Sequence, residues 1–295
     1  MAKYVKKHRR DRSDRIYKGG LDSMHILMPY LFRKRCDNEA VLVETLDISA
    51  LDEYLAKKNA ENPEFKYTWF HVITAALCKV LILRPKMNWF ISGRRYYEHR
   101  DVMASFNIKR KFDDHSEEAM AMFIADREGG SLTEQVHSYV QKMVTKVRVK
   151  NETEGTTDKM NILGKLPRFL LKFVFWVLDV LEYFSLYPDA LRKDDPSYSS
   201  VYISNLGSIK MSANYHHLYE RGTLSFFCII GEKKMRPFFN EDGSYEMRNT
   251  IDLAMTIDER IADGYYFSKS IRLLKYLLQN PDLLDLPASE PVEFN

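Results

Sequence analysis

The residues best suited to acid–base chemistry lie together near the C-terminus, directly after an apolar strand. The segment 252–264 reads DLAMTIDERIADG and contains Asp258, Glu259 and Asp263. A general base works best when its pKa lies near the working pH, and a solvated glutamate near ~4.3 lies well below it. Burial in an apolar pocket can raise the pKa of a carboxyl group by up to ~3–5 units. Glu259 follows an apolar strand, where burial of this kind would raise the pKa of its carboxyl group.

Serine, asparagine and histidine residues elsewhere in the chain are further candidates for a functional site. Ser204 and Asn205 belong to VYISNLG at 201–207, where the alternative to a functional role is a turn at the end of a strand. His216 and His217 are adjacent in the polar stretch ANYHHLYERG, where the alternative is ordinary surface structure. No third ligand stands at metal-site spacing from this pair, so we predict no zinc site and no other metal.

Strands and helices are mixed along the chain around these residues. Alternating apolar residues, or runs rich in residues that favour strands, predict strands at 40–48, 95–98, 101–108, 201–203, 224–230 and 250–257. Apolar residues at helical spacing predict helices at 68–83, 131–149 and 265–279. The helix at 68–83 is apolar nearly all round, which is typical of a helix buried in the middle of a domain. The sequence NEDG at 240–243 predicts a hairpin turn. Glycine-rich dinucleotide and P-loop motifs are absent, which removes the main support for those sites.

Composition and charge narrow the classes of function. The chain has 295 residues, a net charge of +3 and three cysteines. A nucleic-acid binder usually carries a stronger positive balance, so we expect no nucleic-acid partner. The cysteines are widely spaced, which argues against a disulfide framework and favours a reducing cytoplasm. Residues 1–20 are basic and are interpreted as an N-terminal arm outside the core, either a solvated tail or a segment that binds an anionic partner.

An apolar segment at 166–184 interrupts the second half of the chain. It is shorter than a membrane span requires, and Lys172, Asp179 and Glu182 break its apolar run. We expect a helix, within an insertion at about 160–190, that packs on the domain or at a subunit contact. A lid over an acyl-chain tunnel and a helix lying on a membrane surface are the less favoured alternatives.

The C-terminal segment resembles the catalytic domain of 2-oxo acid dehydrogenase acyltransferases, the dihydrolipoamide acyltransferases. In that family a strand leads into D-H-R-x-x-D-G, and chloramphenicol acetyltransferase shares the core H-x-x-x-D-G. The matching residues here are Asp258, Glu259, Arg260, Asp263 and Gly264, so only the histidine differs. Further matches extend the resemblance over about residues 22–287: the S-N-L-G at 204–207, the P-x-x-N at 85–88, and Met24-His25 where the family has Met-Arg.

The resemblance implies a fold and an assembly. The expected fold is mixed α/β, a chloramphenicol acetyltransferase-like two-layer sandwich in which helices pack on a mixed sheet. Residues 21–295 would form this catalytic domain, without the lipoyl and subunit-binding domains that normally precede it. The family forms trimers with active sites between subunits, so a homotrimer is expected. Coenzyme A or acyl-CoA would be a substrate, together with a small acceptor.

The resemblance also implies roles for single residues. Glu259 stands where the family has its catalytic histidine, and Ser204 resembles the serine that hydrogen-bonds the tetrahedral oxyanion. Asp263 would be structural and would face the family's N-terminal arginine, whose place His25 takes. One hypothesis is therefore that His25 forms a new acid–base pair with Asp263 and Glu259; the alternative is an ordinary partly buried histidine. Residues expected around the substrate are Asn205, Arg260, Gly264, His216 and His217.

Two classes of function follow from the replaced histidine. The first is a coenzyme-A-dependent acyltransferase in which Glu259 or His25 supplies the base. The second is a non-catalytic descendant of the same fold that serves as a trimeric scaffold or ligand-binding protein. Retained Ser204, Asp263 and Gly264 favour the first, although folding alone could preserve all three.

Overall fold

A six-stranded sheet forms the centre of the fold in the computed structural model, which describes residues 8–110, 118–148, 163–193 and 195–294. The strands are β1 Arg15–Tyr17, β2 Glu39–Asp47, β3 Trp89–Ser92, β4 Arg95–His99, β5 Val102–Lys109, β6 Glu118–Ala125, β7 Val201–Asn205, β8 Phe226–Phe239 and β9 Tyr245–Asp258. The helices are α1 Ser23–Leu31, α2 Ser49–Asn59, α3 Trp69–Leu83, α4 Leu132–Arg148, α5 Arg168–Tyr183, α6 Asp189–Arg192 and α7 Gly264–Gln279.

The central sheet is mixed, as expected. Its strand order is β2-β9-β8-β7-β5-β6, and β7 runs parallel to both β5 and β8 while the other neighbours are antiparallel. The predicted turn at 240–243 joins β8 to β9, and the amide of Asn240 donates to the carbonyl of Ser244 at 2.8 Å. A second, three-stranded sheet has the order β1-β4-β3. The predicted fold class is confirmed.

Helix α3 is the centre of the helical layer, as its apolar sequence predicts. Its residues from His71 to Leu81 are buried, and it packs against α4, α7 and the strands β5 and β7. The amine of Lys79 is drawn into this core and donates to the carbonyls of Leu283 and Pro287 at 3.0 and 3.1 Å. A smaller apolar cluster that includes Tyr202, Phe227 and Leu218 forms separately from this main core.

Part of the predicted N-terminal arm belongs to a sheet instead of lying outside the core. Strand β1 pairs with β4, and the Arg15 side chain is only 2% exposed. Its guanidinium donates to Ser92 Oγ at 3.1 Å and to Glu182 Oε1 at 3.0 Å. Residues 1–7, which hold part of the arm's positive charge, lie outside the described residues.

The apolar segment at 166–184 forms α5, so a helix is confirmed there. None of the side chains of α5 is buried, so the chain itself covers this helix only in part, and the expected subunit contact stays a prediction. Residues 160–162 of the expected insertion lie outside the described part of the chain.

Within the described ranges, no helix combines the length and the apolar character needed to cross a bilayer.

Two buried histidines should make folding sensitive to mild acid. Burial lowers the pKa of His71 to about 4, with a contribution from neighbouring His137, and burial lowers the pKa of His99 to about 3. The unfolded chain binds these protons near pH ~6.5, whereas the folded chain resists them, so stability falls as the pH drops from ~6.5 toward 4. For His71 alone, we expect a loss of roughly 2 kcal/mol between pH 7 and pH 5.

Urea unfolding of His71→Gln at pH 7 and pH 5 tests this contribution. Glutamine stays neutral, and its amide oxygen can accept from the Thr68 amide as the His71 ring does at 2.9 Å. The stability difference between the two pH values should shrink by roughly 2 kcal/mol. An unchanged difference would show that His71 does not cause the acid sensitivity.

Candidate active site

Glu259 lies at the surface of its own chain. Strand β9 ends at Asp258, and Glu259 begins a 3-10 turn that extends to Ile261. The amide of Glu259 donates to the carbonyl of Asn38 at 3.0 Å, which fixes the backbone, but its side chain is exposed. Its carboxylate makes no hydrogen bond or ion pair within the residues that the structure describes. A single chain therefore supplies no apolar pocket around this carboxylate.

The neighbours of Glu259 form a buried ion cluster. Arg260 Nε and Nη2 each donate to one oxygen of Asp258 at 2.8 Å, a bidentate arrangement. Arg35 Nε lies 3.7 Å from the same carboxylate. All three side chains are at most 3% exposed. One carboxylate thus lies between two guanidinium groups away from solvent.

Backbone carbonyls supply further hydrogen bonds to this cluster, and among the described residues only Arg35 Nε of its nitrogen atoms is left without one. Arg260 Nη1 donates to the carbonyl of Phe32 at 2.8 Å, and Arg35 donates to the carbonyls of Tyr219 and Gly222 at 2.6 and 2.9 Å. Burial lowers the pKa of Arg35, which the Asp258 carboxylate opposes. Burial also acts to lower the pKa of Arg260, but hydrogen bonding and charge attraction to Asp258 together outweigh it, and the pKa of Arg260 is raised.

Arg260 therefore has a structural role that the sequence did not indicate. It was predicted near the substrate, and it does line a cavity of ≈ 310 Å³. Its guanidinium, however, is held by Asp258 and by backbone carbonyls from the segment after α1. Sequence reasoning missed Arg35 and assigned no role to Asp258. The opposite charges of Asp258 and Arg260, two residues apart, were the available signal for this pair.

Asp263 and His25 do not form the predicted pair. Asp263 is the N-cap of α7, where its side chain accepts from the Tyr266 amide at 2.8 Å, and this hydrogen bond lowers the pKa of Asp263. Gly264 is the first residue of that helix. The His25 ring lies in α1 and pairs with Asp22, its Nδ1 being 2.5 Å from a carboxylate oxygen. The proposed pairing of His25 with Asp263 and Glu259 is therefore wrong within one chain.

Ser204 lies in a groove that has an apolar wall and a polar one. The cavity has a volume of ≈ 240 Å³ and lies between β5, β7 and α4, with a wall formed by Phe70, Phe106, Ile108, Val140, Val144 and Ile203. Ser204 is half-buried, and its hydroxyl has no hydrogen-bond partner among the described residues. It is therefore available to donate to a ligand. Asn205 also lines the groove, and its side chain accepts from the Ser208 amide at 3.3 Å.

Ser204 and Glu259 of one chain are far apart because β8 separates their strands. In the sheet register, Ser204 of β7 pairs with Ile229 of β8, and Ile229 pairs with Ala254 of β9. Ala254 precedes Glu259 by five residues. Two inter-strand spacings and five residue rises place the two Cα atoms roughly 20 Å apart. Groups that share a proton or a reacting carbonyl must approach to about 3 Å. The two residues cannot act on one substrate within a single chain.

His216 and His217 are engaged in local contacts. The His216 ring stacks on Phe227 with the ring centres 4.1 Å apart, and its Nδ1 lies 2.7 Å from the His217 carbonyl. His217 Nδ1 lies 2.9 Å from the carbonyl of Leu218. Within the described residues, no group of three or more histidine, cysteine or carboxylate side chains, at this pair or elsewhere, could hold a metal ion.

Residues 188–286 match the family model described as 2-oxoacid dehydrogenases acyltransferase (catalytic domain). The family resemblance is confirmed. The match contains every predicted site residue except His25, and it places Ser204 and Glu259 in one family segment. No match was found among curated proteins.

Solved structures extend the likeness over most of the chain. A probable dihydrolipoamide acetyltransferase from Listeria monocytogenes 4b F2365 is 15% identical, with a TM-score of 0.57 over 89% of this chain and 94% of its own. The Azotobacter vinelandii dihydrolipoamide acetyltransferase is 14% identical, with a TM-score of 0.58 over 89% and 88%. A chloramphenicol acetyltransferase is 12% identical, with a TM-score of 0.51 over 90% and 98%. The chain therefore has the core fold of these acyltransferases.

Replacing the buried carboxylate should destabilise the domain more than replacing the helix cap. Asp258→Asn leaves two buried guanidinium groups without their counter-charge, so we expect a loss of about 3–5 kcal/mol in the free energy of unfolding. Asp263→Asn is the matched control, because asparagine caps helices about as well as aspartate and should cost less than about 1 kcal/mol. Urea unfolding at pH 7 measures both; equal losses would contradict the assignment of Asp258.

Proposed function

We propose that this chain transfers acyl groups between coenzyme A and a small acceptor, at a site that two chains of a homotrimer share. Ser204 of one chain would face Glu259 of its neighbour. The observation that carries the proposal is the separation of roughly 20 Å between these residues within one chain, estimated from strand spacing and rise. Both side chains are accessible on their own chain, as a shared site requires.

The Ser204 groove fits the thioester end of an acyl-CoA. Its apolar wall matches an acyl chain or the extended arm that carries the thioester, and Ser204 stands beside it with an unengaged hydroxyl. Such a donor, when aimed at the oxygen that becomes negative, is worth about 10²–10³ in rate. In the Azotobacter vinelandii enzyme, a serine, a histidine and an asparagine were investigated for their role in the catalytic mechanism. Ser204 is the serine that we assign to this role here.

The proposed reaction needs one proton acceptor. Glu259 removes the proton from the acceptor's thiol or hydroxyl, and the resulting anion attacks the thioester carbonyl. The tetrahedral oxyanion accepts a hydrogen bond from Ser204. It then collapses, the carbon–sulfur bond breaks, and the leaving thiolate of coenzyme A takes the proton from Glu259. Acyl group, proton and electron pair all balance in this exchange.

A neighbouring chain would supply what Glu259 lacks in isolation. A solvated carboxylate is a weak base for a thiol near ~8.5, and exclusion of water by a partner subunit would strengthen it. The exposed position of Glu259 at the end of β9 leaves room for such a contact. His25 is the weaker candidate for the base, because it lies outside the family segment 188–286 that contains both Ser204 and Glu259, although Asp22 orients its ring.

The second candidate is a non-catalytic trimeric scaffold or ligand-binding protein. It is favoured by one observation: no described side chain orients the Glu259 carboxylate. Catalytic bases are usually held by a hydrogen bond to a third group. In this alternative, the groove at Ser204 would bind acyl-CoA without turnover.

A mixing experiment tests the shared site. Glu259→Gln and Ser204→Ala should each lower acyl transfer, the first by about 10²–10⁴-fold because the amide cannot accept the proton. When the two variants are unfolded together and refolded as mixed trimers, about a quarter of the sites pair an intact serine with an intact glutamate. About a quarter of the wild-type activity should therefore return. Light scattering on the wild type checks that the assembly is trimeric.

Two results would decide against this proposal. Mixed assemblies that stay as inactive as their parents would place both residues outside a shared site. A wild-type protein without transferase activity that gains it in Glu259→His would establish the non-catalytic alternative, since the histidine would restore the family's base.

Blocking the groove should separate binding from chemistry. Val144 on α4 is half-buried and lines the cavity, so Val144→Trp fills space that the ligand would occupy. We expect acyl-CoA to bind at least about tenfold more weakly, the size of a steric cost of 1–3 kcal/mol. Met247→Trp, at a position 50% exposed on β9, is the control and should bind normally. Calorimetry measures both, and equal affinities would exclude the groove as the acyl-CoA site.

A further inference from the structure

One face of α5 is an exposed apolar surface of the described chain. The side chains of Phe169, Phe173, Trp176 and Val180 are 77, 58, 60 and 36% exposed, and their spacing places them along one side of the helix. The adjacent side of the helix carries Leu170, Val174, Val177 and Leu181, which the chain covers only in part. An isolated apolar face of this size marks a surface that binds something.

The C-terminal turn of α5 is fixed firmly to the domain. Glu182 Oε1 accepts from Arg15 at 3.0 Å and from Ser92 Oγ at 2.8 Å. Gly93, in the turn between β3 and β4, lies so close that a Cβ there would be 2.0 Å from the Tyr183 carbonyl. The helix is thus anchored at one end while its aromatic face remains open to solvent.

The charges of α5 indicate what kind of surface would cover that face. The acidic residues of the helix are already neutralised by their own chain, Asp179 by Arg221 and Glu182 by Arg15. The basic residues at its N-terminal side, Lys165, Arg168 and Lys172, are exposed and have no ion-pair partner among the described residues. The face therefore combines exposed aromatic groups with uncompensated positive charge.

We propose that α5 lies in the interface of a membrane that contains anionic lipid, with Phe169, Phe173 and Trp176 inserted among the acyl chains and Lys165, Arg168 and Lys172 among the headgroups. Aromatic and aliphatic residues on one side with lysine and arginine beside them are the pattern of helices that lie in this interface. Its 16 residues suit this position. Packing of α5 against α5 of a second copy would bring no free acidic partner to these three cations, because Asp179 and Glu182 are already paired within their own chain.

Co-sedimentation of the full chain with vesicles tests the proposal. The wild type should sediment with vesicles of phosphatidylcholine and phosphatidylserine, and much less with phosphatidylcholine alone. Arg168→Gln/Lys172→Gln should weaken binding to the anionic vesicles about 30-fold. Each lysine or arginine near such a surface contributes about 1 kcal/mol of attraction, and this variant removes two. Phe173→Ser/Trp176→Ser should weaken it at least about tenfold through lost apolar insertion.

The chain provides a matched control and an internal reporter. Phe239→Ser/Tyr245→Ser removes aromatic groups that are 72 and 60% exposed at the β8–β9 turn, and this variant should bind vesicles like the wild type. Trp176 emission should shift to shorter wavelength with anionic vesicles, and Trp176→Phe should lose that shift but still sediment. Circular dichroism checks that every variant is folded.

Three outcomes would overturn the proposal. The first is a wild type that does not bind anionic vesicles. The second is an equal loss of binding in Phe239→Ser/Tyr245→Ser, which would make the attachment non-specific. The third is binding of Phe173→Ser/Trp176→Ser to anionic vesicles as tightly as the wild type; an assembly that also falls apart in this variant would assign the face to another copy of the chain.

Discussion

The buried carboxylate of Asp258, between the guanidinium groups of Arg35 and Arg260, is the interaction on which the candidate site depends. It joins three distant parts of the chain: the end of β9, the segment after α1 and the loop at 219–222. A charge cluster of this kind is tolerated away from water only if its geometry and hydrogen bonds are nearly complete. The backbone at Glu259 is therefore held by groups that have nothing to do with the chemistry of Glu259.

Sheet register is the second constraint, and it determines how many chains a site must contain. Because β8 lies between β7 and β9, and because β7 is parallel to β8 while β9 is antiparallel, Ser204 and Glu259 come at opposite ends of the same region of sheet. No side-chain rearrangement closes a gap of roughly 20 Å. If the two residues share a substrate, assembly is a condition of activity and not an addition to it.

The sequence predicted those parts of the fold that local pattern determines. The alternation Ile251, Leu253, Met255 and Ile257 indicated β9, and the all-round apolar residues of α3 indicated a central helix. It could not reveal that Arg35 meets Asp258, because the two residues are distant in sequence and a lone arginine is usually solvated. It also missed α1, whose exposed apolar residues give no one-sided pattern and which contains Pro29. Family resemblance, not periodicity, identified Ser204 and Glu259.

Within the segment 258–264, D-E-R-I-A-D-G, some side chains stabilise the fold and Glu259 does not, and this difference affects which positions can be substituted during evolution. Asp258 and Arg260 are held by the buried cluster, and Asp263 is held by the start of α7, so replacing any of them disturbs folding. Glu259 contributes only its backbone to the fold. Selection for stability therefore acts weakly on the side chain at this position, and the function of the site mainly determines which residue is found there.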